Sequence, residues 1–139
     1  MATRKLSQSH YRHLADFRHT LTRFLRFSES AAAKAGLSAQ QYHALLALRA
    51  AGTAQPASIG HVAKGLLIKH NSAVELVDRL VRQGLVDRRD SPQDRRKVDL
   101  RLTAKGRRTL ERLAHLHIVA MQDLQRMEHL SLASRHAGL

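Results

Sequence analysis

Residues 66–106 read LLIKHNSAVELVDRLVRQGLVDRRDSPQDRRKVDLRLTAKG, and the hydrophobic period changes twice within them. Leu66, Ala73, Leu76, Val77, Leu80 and Val81 recur at three- and four-residue steps, the spacing of one apolar helix face. Gly84 closes that run, because the left-handed residue that ends a helix is cheapest as glycine. From Leu85 the chain reads as a strand to about Arg89. Val98, Leu100 and Leu102 then alternate with Lys97, Asp99 and Arg101, the period of a strand with one buried face. Between the strands, Asp90-Ser91-Pro92-Gln93-Asp94-Arg95-Arg96 supplies turn-forming residues and ends in arginine. A helix followed at once by a basic hairpin is the arrangement of a winged helix-turn-helix: mainly α, with a small β-hairpin wing.

Charge points the same way. Arg82, Arg88, Arg89, Arg95, Arg96, Lys97, Arg101, Lys105, Arg107 and Arg108 crowd around the hairpin, in a chain with 24 Lys+Arg against 11 Asp+Glu and a net charge of +13. Like charges this close repel until a polyanion neutralises them, which favours nucleic acid. A membrane surface would call for a basic amphipathic helix, whereas the charge is densest on a hairpin. No run of about eighteen apolar residues is available to span a bilayer, and the first residues lack the apolar core of a secretion signal. The expected location is cytoplasmic, on the nucleoid. Cysteine is absent, which excludes disulfides, Cys-based zinc sites and thiol sensing.

Upstream, Tyr11, Leu14, Phe17, Leu21, Phe24, Leu25 and Ser28 recur at helical steps in a long first helix from about Ser9 to a stop at Gly36. All three phenylalanines, Phe17, Phe24 and Phe27, lie in it. So long an apolar stripe exceeds what a 139-residue domain can cover alone, so the stripe is expected at a shared helical interface. Ser38-Ala39-Gln40-Gln41 is a capping box that opens a second helix ending near Gly52. Ser58 caps a third helix over Ile59–Leu66, Leu67 and Ile68 form a turn, and the next helix spans roughly 69–83. Thr103 caps a long last helix, in which Leu130-Ser131-Leu132 is either a break or the start of a short final helix. One domain covers 1–139. It is divided into a helix-turn-helix and wing lobe over 36–104 and helical dimerisation segments over 8–35 and 105–139.

The segment RQGLVDRRDSPQDRRKVDLRLTAKG resembles the wing of the MarR family of bacterial transcription regulators. That family's pattern is carried by Gly84-Leu85-Val86-Asp87-Arg88, by Asp94-Arg95-Arg96, by Val98 to Leu102 in alternation, and by Leu102-Thr103-Ala104-Lys105-Gly106. The upstream helices match in order and spacing, so the likeness runs over roughly residues 8–125. It implies a homodimer on a pseudo-palindromic operator, with the third helix packed across the recognition helix. It also implies that Arg96, the arginine of the wing-tip motif, enters the minor groove, where arginine reads width and potential.

An α-helix fits the major groove, and the start of a recognition helix usually reaches the base edges. The face opposite Ala73, Leu76, Val77 and Leu80 offers Lys69, His70, Asn71, Ser72, Glu75 and Arg79. Asn71 suits adenine, Glu75 can accept from cytosine and His70 can donate to guanine, while Ser72 and Lys69 suit phosphates. On the wing, Asp94 would orient the arginine, Arg95 and Lys97 would meet the backbone, and Arg89, also counted among the DNA-contacting residues, flanks the base of the hairpin beside Arg88. Ser38 completes the candidate DNA-contacting set.

No glycine-flanked nucleophile, phosphate loop, paired carboxylates or HExxH motif appears, so an enzyme is not expected, nor a metal or other cofactor. His10 and His13 stand one helical turn apart, a spacing at which two ring nitrogens can share a metal, but solvated or interfacial histidines are the simpler account. The family likeness implies a small aromatic or amphipathic effector in a crevice formed by Phe17, Leu21, Tyr42, Leu46 and His115. The alternative function is a non-specific architectural DNA-binding protein built on the same winged helix.

Overall fold

Serine starts and left-handed stops divide the chain into helices of the lengths that the apolar periods require. A computed structural model describes residues 4–52, 56–92, 94 and 97–136, with side chains as far as residue 126. The elements are α1 (Gln8–Lys34), α2 (Ala39–Ala50), α3 (Ile59–Leu66), α4 (His70–Arg82), β1 (Val86–Asp90), β2 (Val98–Leu102) and α5 (Ala104–His136). β1 and β2 pair antiparallel, with Val86 opposite Leu102 and Asp90 opposite Val98.

Three of the helices end in the same way. After α1 the amides of Gly36 and Leu37 donate to the carbonyls of Ala33 and Ala32. After α3 those of Leu67 and Ile68 donate to Lys64 and Ala63, and after α4 those of Gly84 and Leu85 donate to Val81 and Leu80. Each closure needs one residue at positive φ; Gly36 sits at +77°, Gly84 at +71° and Leu67 at +55°. Leu67 holds this conformation against a Cβ–carbonyl contact that glycine would avoid, and its side chain is 91% exposed.

Helix starts use a common device too. Ser38 accepts from the Gln41 amide (3.1 Å) and its own amide donates to Gln41 Oε1 (2.8 Å). At Ser7 and Ser58 the residue three positions on is histidine, and its Nδ1 takes the place of the carboxamide oxygen (3.0 Å from each serine amide).

The core lies where α2, α3, α4 and the hairpin meet, with Leu45, Val62, Val77, Leu80, Val86 and Leu100 fully buried. Ala57, just before α3, pairs with Leu100 across the free edge of β2, through the Leu100 amide and the Ala57 carbonyl (2.9 Å). The start of α5 is fastened to the end of α4 through Thr103. Its hydroxyl donates to the Gly84 carbonyl (2.6 Å) and accepts from the Gly106 amide (3.0 Å). Gly106 lies so close to the chain that a Cβ there would stand 2.0 Å from the Leu85 carbonyl oxygen. This accounts physically for the Leu-Thr-x-x-Gly pattern.

Several sequence expectations shift. Lys69 is the N-cap of α4 rather than its first turn, and Leu85 is taken up by the helix closure, so β1 begins one residue later. Leu130–Leu132 neither breaks nor restarts the last helix, which continues to His136; no glycine or proline stands there to stop it. Of the three phenylalanines, Phe24 and Phe27 pack edge-on against His117 inside the fold, and Phe17 faces out. The exposed apolar stripe is Tyr11, Leu14, Phe17, Leu21 and Leu25 on α1, joined by Leu116, Ile118, Val119 and Met121 on α5.

Candidate nucleic-acid interface

α4 turns by about 100° per residue, so burying Ala73, Leu76, Val77 and Leu80 obliges the intervening residues to face outward. His70, Asn71, Ser72, Glu75 and Arg79 are all exposed, together with Lys69 at the N-cap. The first turn holds no acid, and its free backbone amides carry the positive end of the helix dipole. The start of α4 is therefore built to meet negative charge, with Asn71 and His70 available as hydrogen-bonding groups.

The hairpin adds exposed Arg89 and Lys97. Its ladder continues past the strands, since the Ser91 amide donates to the Lys97 carbonyl and the Lys97 amide to the Asp94 carbonyl (both 3.0 Å). Asp94 is exposed; Arg95 and Arg96 lie outside the described residues. Arg88 is bound to Asp78 of α4 (2.7 Å), which fixes the angle between helix and hairpin. Both side chains are partly exposed, so the pair stabilises the fold by less than about 1 kcal/mol and matters for geometry.

Part of the basic cluster serves the fold instead of a polyanion. Lys105 Nζ donates to the Gln83 carbonyl at the end of α4, and Arg107 Nη1 to the Leu102 carbonyl (3.0 Å each). Ser38 does not join the residues at the start of α4. Its capping partner Gln41 reaches Gln83 through Nε2 (2.8 Å), which puts the start of α2 beside the opposite end of that helix.

The residues of the expected effector crevice are not brought together in the chain. Tyr42 is buried, Phe17 and Leu21 lie on the outer stripe, and Leu46 is exposed. His115 is exposed and stands 4.0 Å from Glu111. The histidine beside Tyr42 is His117, 5% exposed. Its Nδ1–H donates to the Leu113 carbonyl (2.6 Å), which leaves Nε2 to accept from the Ser28 hydroxyl (2.8 Å). Helical phase was the missed signal, because Leu110, Leu113 and His117 fall on one face of α5 and His115 on the other. Burial raises the Tyr42 hydroxyl above its ordinary range, so it stays protonated at neutral pH. A cleft of about 250 Å³ lies elsewhere, between α2 and β2, lined by Leu48, Pro56, Leu100, Arg49, Arg101 and Arg107 among others. Among the described residues no three histidines or acids approach closely enough to hold a metal.

Comparison with known proteins agrees with this geometry. Residues 35–97, from the end of α1 to the residue before β2, match the MarR family model. The HTH-type transcriptional regulator PecS of Dickeya dadantii (strain 3937) is 28% identical over 88 residues, covering 63% of this chain and 53% of PecS. The match thus takes in about half the length of that relative. The transcriptional repressor CouR, solved bound to a 23-mer DNA duplex, is 27% identical with a TM-score of 0.69, covering 96% of this chain and 97% of CouR. A variant of MepR from S. aureus, solved bound to an oligodeoxyribonucleotide, shares the fold at 19% identity and a TM-score of 0.69, covering 96% and 95%. With the helix-turn-helix and its wing in place, the winged lobe of the chain matches the MarR family, a family of transcription regulators and not of enzymes.

Proposed function

We propose that the protein is a homodimeric transcription regulator that binds double-stranded DNA sequence-specifically, most simply as a ligand-responsive repressor on a pseudo-palindromic operator. The observation that carries this is the juxtaposition of two outward-facing elements on one lobe. These are the acid-free start of α4, with Lys69, His70, Asn71 and Ser72, and a hairpin bearing Arg89 and Lys97. The helix takes the major groove; Asn71, His70 and Glu75 read base edges, and Lys69, Ser72 and Arg79 fix register. The wing takes the adjacent backbone and minor groove, where Arg96, oriented by Asp94, inserts and Arg95 touches phosphate. Ser38 is then a phosphate contact at the start of α2.

One lobe covers a half-site, so the exposed stripe on α1 and α5 is read as the two-fold interface. It sets the two recognition helices roughly 34–36 Å apart, one turn of DNA. A small aromatic or amphipathic effector works by population shift, favouring a helix spacing that does not fit the groove.

The test is an anisotropy titration of the full chain against its own upstream promoter and against random duplex, at physiological salt and over a salt series, with mass measured by light scattering. A dimer that prefers the promoter at least about a thousand-fold is expected, with affinity falling steeply in salt. A ratio near one would replace this reading with the non-specific architectural one. Thermal-shift hits that also lower promoter affinity identify the effector.

A further inference from the structure

Two helix starts in this chain are closed by an imidazole nitrogen where a carboxamide oxygen serves at the third. The box at Ser38 uses Gln41, whereas those at Ser7 and Ser58 use His10 and His61, whose side chains, unlike a carboxamide, can take up a proton. The second pair bears on the DNA-binding lobe. The His61 amide donates to Ser58 Oγ (3.3 Å), the Ser58 amide donates to His61 Nδ1 (3.0 Å), and the Ser58 hydroxyl stands 2.8 Å from the same Nδ1. Because Ser58 Oγ accepts from the helix, its proton is free to point at Nδ1. Two donors therefore converge on one ring nitrogen, which must carry a lone pair.

We propose that His61 is a positioning residue for DNA binding, acting through α3 and only in its neutral form. A proton on Nδ1 removes the acceptor and sets N–H against N–H. It also puts positive charge at a helix N-terminus, where the dipole disfavours it. Both effects act in one direction, so the box is complete above the range in which histidine changes charge and opens as pH falls through it.

Two contacts carry the consequence to the interface. α3 packs directly on α4 and α2. Ala57, the residue before the cap, holds the edge of β2 through Leu100. The cap thus sits between the recognition helix and the wing. Charged or titratable side chains on the neighbouring elements are Tyr42, His43 and Arg49 on α2, His70, Glu75, Asp78, Arg79 and Arg82 on α4, and Asp99 and Arg101 beside Leu100. On α3 itself the only other one is Lys64. Among the described residues none forms an ion pair with His61, so no carboxylate is placed to hold the charged ring.

This inference rests on the DNA-binding reading for its functional half, and the test separates the two. The full chain and its His61→Gln variant are titrated with promoter DNA from about pH 8 to about pH 5.5, across the range of an ordinary histidine. Glutamine closes the box at every pH. Equal affinities are expected at the upper end, with the wild type falling two- to five-fold below the variant at the lower end, about what one N-cap is worth. Comparing the two proteins cancels the other nine histidines, His70 included. Parallel curves overturn the proposal. So does a wild type that gains on the variant in acid, because the charged ring would then be meeting phosphate. Hydrogen exchange at the Ser58 amide, measured without DNA, reads the cap alone. Protection should fall with pH in the wild type and not in His61→Gln. If that holds while no promoter is bound, the DNA-binding reading has failed and the titratable cap stands; if the Ser58 amide responds alike in both proteins, the cap itself is refuted.

Discussion

The imidazole of His117 lies flat against the ring of Tyr42, with centroids 4.2 Å apart and planes 19° apart. Phe24 and Phe27 meet the same imidazole edge-on, and Ser28 and Leu113 occupy its two nitrogens. One side chain from α5 thereby joins α1 to α2, the junction between the long helices and the winged lobe. His117→Ala is expected to lower stability by about 2–4 kcal/mol, because it opens a cavity and strands the Ser28 hydroxyl and the Leu113 carbonyl. His115→Ala, on the solvent side of the same helix, should stay within about 0.5 kcal/mol. Urea midpoints of the two variants check both; equal losses would mean that the wrong histidine has been placed at the junction.

Gly106→Ala should be among the most damaging single-methyl changes in the chain. The new Cβ would meet the backbone carbonyl of Leu85 at 2.0 Å, and backbone cannot rotate away as a side chain can. Opening that contact also disturbs the Thr103 hydroxyl, which bridges the end of α4 and the start of α5. A loss of at least about 3 kcal/mol is expected, seen as a large drop in Tm or as insoluble protein. A soluble variant with unchanged Tm would contradict the close approach.

Leu67→Gly should have the opposite sign. Leucine at φ +55° is strained and its side chain buries almost nothing. Relief of that strain is worth up to about 1 kcal/mol, less what glycine costs in the unfolded chain. Thermal unfolding should move upward or stay level. A clear fall would reveal a role for the exposed leucine beyond the turn.

Asn71→Ala and Arg96→Ala should separate base reading from backbone attraction. Loss of a bidentate contact from Asn71 costs about 1–3 kcal/mol on the cognate site and relaxes preference at one base pair. Loss of Arg96 weakens binding to all sequences more evenly and reduces the salt slope by about one. Promoter and random-duplex titrations at several salt concentrations distinguish the patterns, and identical behaviour of the two variants would undo the assignment of helix and wing to different tasks.

Local chemistry makes much of this protein readable from its sequence. The apolar periods of α4 and β2, the glycine stop at Gly84, and the serine starts at Ser38, Ser58 and Thr103 all depend on residues a few positions apart. They survive in the fold to within a residue or two. The exposed face of α4 follows from the buried one by helix geometry, so Asn71 and its neighbours could be named from sequence. What the chain's order could not supply were relations between residues far apart along it. These include the stacking of His117 rather than His115 on Tyr42, the tie of Arg88 to Asp78, and the use of Lys105 and Arg107 as carbonyl caps. A histidine or an arginine reads the same in sequence whether it is buried, bridged or free. Which of these it becomes is decided by the element that packs against it, and only the tertiary structure brings that element into place.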